Sequence, residues 1–251
     1  MLFIVAIFVV ITVAVAFVWF APAITTPRII FDVRPDRPAP FGYKMGWIAV
    51  RSIDTIAVVE ALGLVGPVIS NWDSGIGTVY DDQLGERRLF VSPPVDGWTF
   101  VVGLALPHPM SPAFIDKWTP MLDGLAARFK DVQYYFSYPL IDFYAWAKYT
   151  DGKLVRAFAT SDAGTVLSRG KPTREEKALG LKLFELRGVR ERRGDAGGEI
   201  ILHPTEEHVM RLAAKWSLDP TTFGPASAPQ ALGWIAEAPA HWRPERLRKS
   251  A

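Results

Sequence analysis

Phe143-Tyr144-Ala145-Trp146-Ala147-Lys148-Tyr149-Thr150-Asp151-Gly152-Lys153-Leu154-Val155-Arg156-Ala157-Phe158-Ala159 carries the strongest fold signal in the chain. Two runs rich in aromatic and apolar residues, 143–149 and 154–159, flank an Asp-Gly pair. Asp-Gly tolerates the positive φ angles of a tight turn whose twist matches two antiparallel strands. The stretch predicts a β-hairpin, and with it an antiparallel sheet.

Working outward, residues 132–138 read as a strand. Residues 120–129 read as a helix with Met121, Leu122, Leu125 and Phe129 on its apolar side. Ser111-Pro112 and Thr119-Pro120 have the form of a capping residue followed by proline at the first helical position. Residues 97–102 are a further strand. Nearer the N-terminus, residues 45–50 are β-rich. Ser52 then caps a helix with Ile56, Val59 and Leu62 inward and Gly63 as its stop. Residues 65–69 and 88–92 follow as strands. Both stretches run strand, helix, strand, strand, and both open on Gly-Trp (Gly46-Trp47, Gly97-Trp98), which hints at an internal duplication.

Downstream, Thr173 caps a helix expected to reach about residue 187, and residues 194–198 form a glycine-rich loop. Thr205, with Glu206 and Glu207 in the first turn, opens another helix, its inner face being Val209, Leu212, Ala213 and Trp216. Hairpin strands and separate helices predict an α+β fold: a mostly antiparallel sheet covered by helices on one face, built from two strand-helix-strand-strand units. The domain spans 45–222, and 223–251, with Pro225, Pro229, Pro239 and Pro244, read as an irregular strap.

Residues 1–24 contain no charged side chain between Leu2 and Ile24. An apolar run of about 20 residues spans about 30 Å as a helix, the thickness of a bilayer core, and Trp19 and Phe20 suit its interface. The expectation is a single transmembrane anchor, with a signal peptide or a core helix as alternatives. Residues 25–44, with four prolines among charges, read as a semi-rigid linker. Arg28, Arg34, Arg37 and Lys44 follow the anchor, which places the domain on the cytoplasmic side of the membrane. The periplasm is the alternative.

The formal net charge is +2, and there is no cysteine. This balance gives no support to a nucleic-acid footprint. A basic stretch at 169–193 carries nine Lys/Arg against four Glu, and reads as a solvated surface. Histidine is scarce, and the spacing around His203 and His208 does not match a metal motif, so neither metal nor cofactor is expected. Trp72-Asp73-Ser74-Gly75-Ile76-Gly77 lacks the first glycine of a nucleophile elbow and the lysine of a phosphate loop, and reads as a turn. Asp81 and Asp82, if on a strand, point to opposite faces, a poor acid–base pair. Tyr134, Tyr135, Tyr138 and Tyr144 cluster on adjacent strands. They fill a core or, turned outward, make a protein interface.

The segments Gly46-Trp47-Ile48-Ala49-Val50-Arg51-Ser52, Pro94-Val95-Asp96-Gly97-Trp98, Val132-Gln133-Tyr134, Ala145-Trp146-Ala147, Asp151-Gly152-Lys153-Leu154-Val155-Arg156 and Trp216-Ser217-Leu218-Asp219-Pro220 together resemble an uncharacterised family of bacterial proteins. The likeness covers residues 44–222. That family resembles immunity proteins of contact-dependent toxin systems and carries no catalytic residues to transfer. The resemblance implies a membrane-anchored, non-enzymatic module that binds a protein partner, a toxin in the immunity case. Tyr134, Tyr135, Tyr138, Tyr144, Trp72, Asp81 and Asp82 are the candidate contact residues. The alternative is a membrane-associated enzyme of envelope metabolism, its site being the loop 72–82 near His108 or His203.

Overall fold

The computed structural model describes Thr12, Val15 and residues 29–109, 115–181 and 204–242. Residues 1–31 and 32–251 form separate units, and the fold below is that of the second. Its nine strands are β1 (Gly46–Val50), β2 (Val65–Ser70), β3 (Arg88–Val91), β4 (Thr99–Val102), β5 (Asp131–Tyr138), β6 (Phe143–Thr150), β7 (Lys153–Ser161), β8 (Gly164–Arg169) and β9 (Gly233–Glu237). The helices are α1 (Thr55–Ala61), α2 (Trp72–Tyr80), α3 (Trp118–Ala126), α4 (Arg174–Ala178) and α5 (Glu206–Trp216).

The strands form one sheet in the order β2-β9-β3-β4-β1-β5-β6-β7-β8, antiparallel throughout. The hairpin read from the sequence is β6–β7. Asp151 and Gly152 both take positive φ, 49° and 73°, as a turn with this twist requires.

The expected fold class is corrected on three points. There are no two separate units: β1 lies between β4 and β5, and β9 lies between β2 and β3. The residues expected as an irregular C-terminal strap supply β9, an interior strand. Helices cover both faces of the sheet, not one. Ile48, Val50, Leu89, Val101 and Val132 pack with Val58 and Val59 of α1 and Trp118, Leu122 and Leu125 of α3. Trp47 and Phe100, pointing the other way, meet Phe41, and Tyr135 meets Trp216 of α5. Both layers are needed because β1 is buried along its whole length, so neither of its faces can meet water.

The transmembrane helix also lacks a counterpart: among the described residues no helix is long and apolar enough to cross a membrane. The expected span 1–24 itself lies outside the described residues, apart from Thr12 and Val15. Residues 32–44, expected as a linker, belong to the domain. Phe41 is buried, and the Asp36 carboxylate accepts from the backbone N–H of Trp72 (2.7 Å) and Asp73 (2.9 Å). It thereby satisfies two of the unpaired donors at the start of α2. Together with the Asn71 cap this makes a helix of residues 72–80, where the sequence predicted a turn. Gly75 sits against the Phe90 ring, where any Cβ would clash, so its absent side chain lets α2 approach the sheet.

Candidate functional site

A concavity lies at the end of the sheet where β1 begins and β5 ends. Two clefts adjoin there. One, of about 420 Å³, is lined by Leu104, His108, Pro109, Phe136, Tyr138, Ile141, Phe143, Ser161 and Val166. The other, of about 560 Å³, is lined by Lys44, Met45, Val79, Tyr80, Asp81, Asp82, Gly85, Glu86, Leu104 and Tyr138. Leu104 and Tyr138 belong to both, so the two clefts share a wall.

The local sequence explains the apolar cleft. β4 ends at Val102 and is followed by Gly103, whose φ is +148° and whose Cβ would meet Leu89 and the Arg88 carbonyl. Only glycine turns the chain out there at no steric cost, and Leu104 follows, partly exposed. Between β5 and β6, Pro139–Ile141 form one 3-10 turn that ends on Asp142 at φ 45°. This turn sets Leu140 and Ile141 in solvent, 83% and 56% exposed. His108 stacks on Phe136 at 4.9 Å and meets Phe143 edge-on at 5.7 Å. Burial among these rings pushes its pKa below the usual imidazole value, against a backbone hydrogen bond at Leu106 that raises it. The ring is therefore neutral at pH 7. Ser161 lines the same cleft, but its Oγ accepts from the Ala163 N–H, and among the described residues no hydrogen bond joins it to His108.

The second cleft is acidic. Asp81 follows α2 as its C-cap, and its carboxylate accepts from the N–H of Leu84 (2.8 Å) and Gln83 (3.0 Å). Those bonds stabilise the ionised form and hold its pKa below the ordinary value. Asp82 and Glu86 are exposed beside it. The Tyr80 hydroxyl donates to the Tyr43 carbonyl (2.9 Å) and accepts from the Gly42 N–H (3.2 Å). Glu206 accepts from the Lys44 backbone N–H (2.8 Å) and the Ser137 hydroxyl (2.7 Å), fixing the cleft's floor to α5. Among the described residues no group of three metal-binding side chains occurs.

Of the residues singled out from the sequence, Asp81, Asp82 and Tyr138 come together in this cleft. The other four are core. Tyr134 is fully buried against Trp118 of α3, with ring centroids 5.5 Å apart. Tyr135, on the opposite face, stacks on Trp47 at 5.0 Å and donates to Gln133. Trp72 is buried against Phe90 and Phe223. Tyr144 is also buried. Asp81 and Asp82 sit at a helix end and the turn after it, not on a strand. The sequence reading missed Leu104, Glu86, Ile141 and Lys44 as site residues. Its one available signal was Leu140-Ile141, apolar residues in a tight connection where polar ones are usual. His108 entered the sequence reading through the alternative enzyme site at 72–82; His203, the other histidine named there, lies outside the described residues.

No family model, curated protein or solved structure matches the chain.

Proposed function

We propose that this protein is a non-catalytic binding module for another polypeptide, and that the paired clefts at the β1/β5 end of the sheet are the contact surface. The observation that carries the reading is the apolar cleft lined by exposed Leu104 and Ile141, with exposed Leu140 next to Ile141 in the chain. Large apolar side chains grouped around one concavity expose surface that a partner can bury. The resemblance seen in the sequence makes a bacterial toxin the specific form of partner.

A photo-crosslinking amino acid at position 141, introduced in cells of the native host, tests the site. The expected result is one discrete cross-linked polypeptide from position 141 and none from position 53. Ile53 is equally apolar and 75% exposed, so it controls for unspecific stickiness. Equal products from both positions, or none from 141, would refute the assignment. Deleting the gene tests the toxin form: loss of resistance to neighbouring cells is expected. Unchanged resistance would discard toxin neutralisation while leaving the binding surface to the cross-link.

A further inference from the structure

We infer that the segment bound here carries a lysine or arginine beside a large apolar side chain, an inference that rests on the reading of the paired clefts as a protein-binding site. The second cleft presents three exposed carboxylates, Asp81, Asp82 and Glu86, against one cation, Lys44. Asp81 cannot be neutralised easily, because two backbone N–H groups hold it ionised. The cleft therefore repels phosphates and acidic peptides and attracts a cationic side chain. The Tyr80 hydroxyl is already engaged at Gly42 and Tyr43, so charge is what this cleft has to offer.

The apolar cleft requires something different. Its lining holds no carboxylate, lysine or arginine, its histidine is stacked on Phe136, and its volume of about 420 Å³ falls in the range of roughly 300–1,000 Å³ that encloses a bound group. Leu104 and Tyr138 form the shared wall. An extended chain crossing that wall turns successive side chains to opposite sides. A basic residue then faces Asp81, Asp82 and Glu86, while an apolar neighbour enters between Phe136, Phe143 and Ile141.

The test uses the full chain and an array of synthetic decapeptides that scans every residue type at each position. The expected enrichment is Lys or Arg within two positions of Leu, Ile, Phe or Trp. The Asp82→Asn/Glu86→Gln variant should lose about threefold to tenfold of that affinity. Raising NaCl from about 50 to 300 mM should weaken binding in the same direction, since screening acts on exposed charges. Melting curves of the variants should match wild type, because the substituted groups are exposed. Enrichment of acidic or uncharged peptides, or indifference to Asp82→Asn/Glu86→Gln, overturns the basic requirement alone. Peptides retained unchanged by Leu104→Asp and Ile141→Asp variants overturn the assignment of the site. Absence of any retained peptide counts against both.

Discussion

Replacing Glu176 by alanine would leave the Arg156 guanidinium as an unpaired charge inside the protein. Both side chains are fully buried, and Arg156 Nε donates to Glu176 Oε1 at 2.9 Å. The same carboxylate accepts from Trp146 Nε1 (2.8 Å) and the Thr173 N–H (2.6 Å). It ties α4 to the β6, β7 and β8 end of the sheet. Arg156 Nη1 adds bonds to the carbonyls of Ala157, Arg169 and Gly170 and to the Ser168 hydroxyl. Breaking one side of a buried pair costs about 3–5 kcal/mol, because the survivor stays desolvated. For a domain of this size that lowers the melting temperature by about 6–20 °C. Arg156→Met should cost a similar amount, since it strands both the carboxylate and the carbonyls. In the double variant Arg156→Met/Glu176→Ala no charge is stranded. Its loss should fall short of the sum of the two single losses by about 2–3 kcal/mol. Urea melts of the four proteins give the coupling. A Glu176→Ala variant within about 1 kcal/mol of wild type, or additive losses, would show that the pair is solvated and that this reasoning is wrong.

Three further outcomes are expected. Gly75→Ala should destabilise the domain by about 1–3 kcal/mol, read by chemical denaturation, because its methyl would have to displace the Phe90 ring; an unchanged midpoint would mean α2 can slide. Asp36→Ala should cost about 1 kcal/mol through the lost bonds to the start of α2, and a neutral result would place residues 32–44 outside the cooperative unit. His108 has a depressed pKa when folded, so the unfolded chain takes up its proton first as pH falls. Stability is then fully present above the unfolded value of about 6.5 and is lost as pH drops from there toward the folded value. Melting temperatures from pH 7.5 to 5 should fall more steeply for wild type than for His108→Asn, and parallel curves would show that the ring is not desolvated.

Local pattern was enough to read several elements. The Asp151-Gly152 turn declared the β6–β7 hairpin because only a few residue types accept two successive positive φ angles. The inner face of α5, Val209, Leu212, Ala213 and Trp216, is buried as its spacing requires. Asp81 and Asp82 drew notice as adjacent acids and do line a cleft. What turned on partners far along the chain was not legible. The run 72–80 holds two glycines, poor helix formers. It is helical because Asn71 caps it and Asp36, 36 residues before Trp72, satisfies its first donors. Tyr134 and Tyr135 are neighbours on β5 and point to opposite faces, which the sequence left open as core or interface; α3 covers one and α5 lies against the other. A strand's period fixes which residues share a face, not what lies over that face. The order of strands, with β9 slotted between β2 and β3, and two adjoining clefts drawn from segments as distant as Lys44 in one and Val166 in the other, arise only when the sheet closes up. Pairing between strands is set by non-local burial, which leaves no periodic mark on the chain.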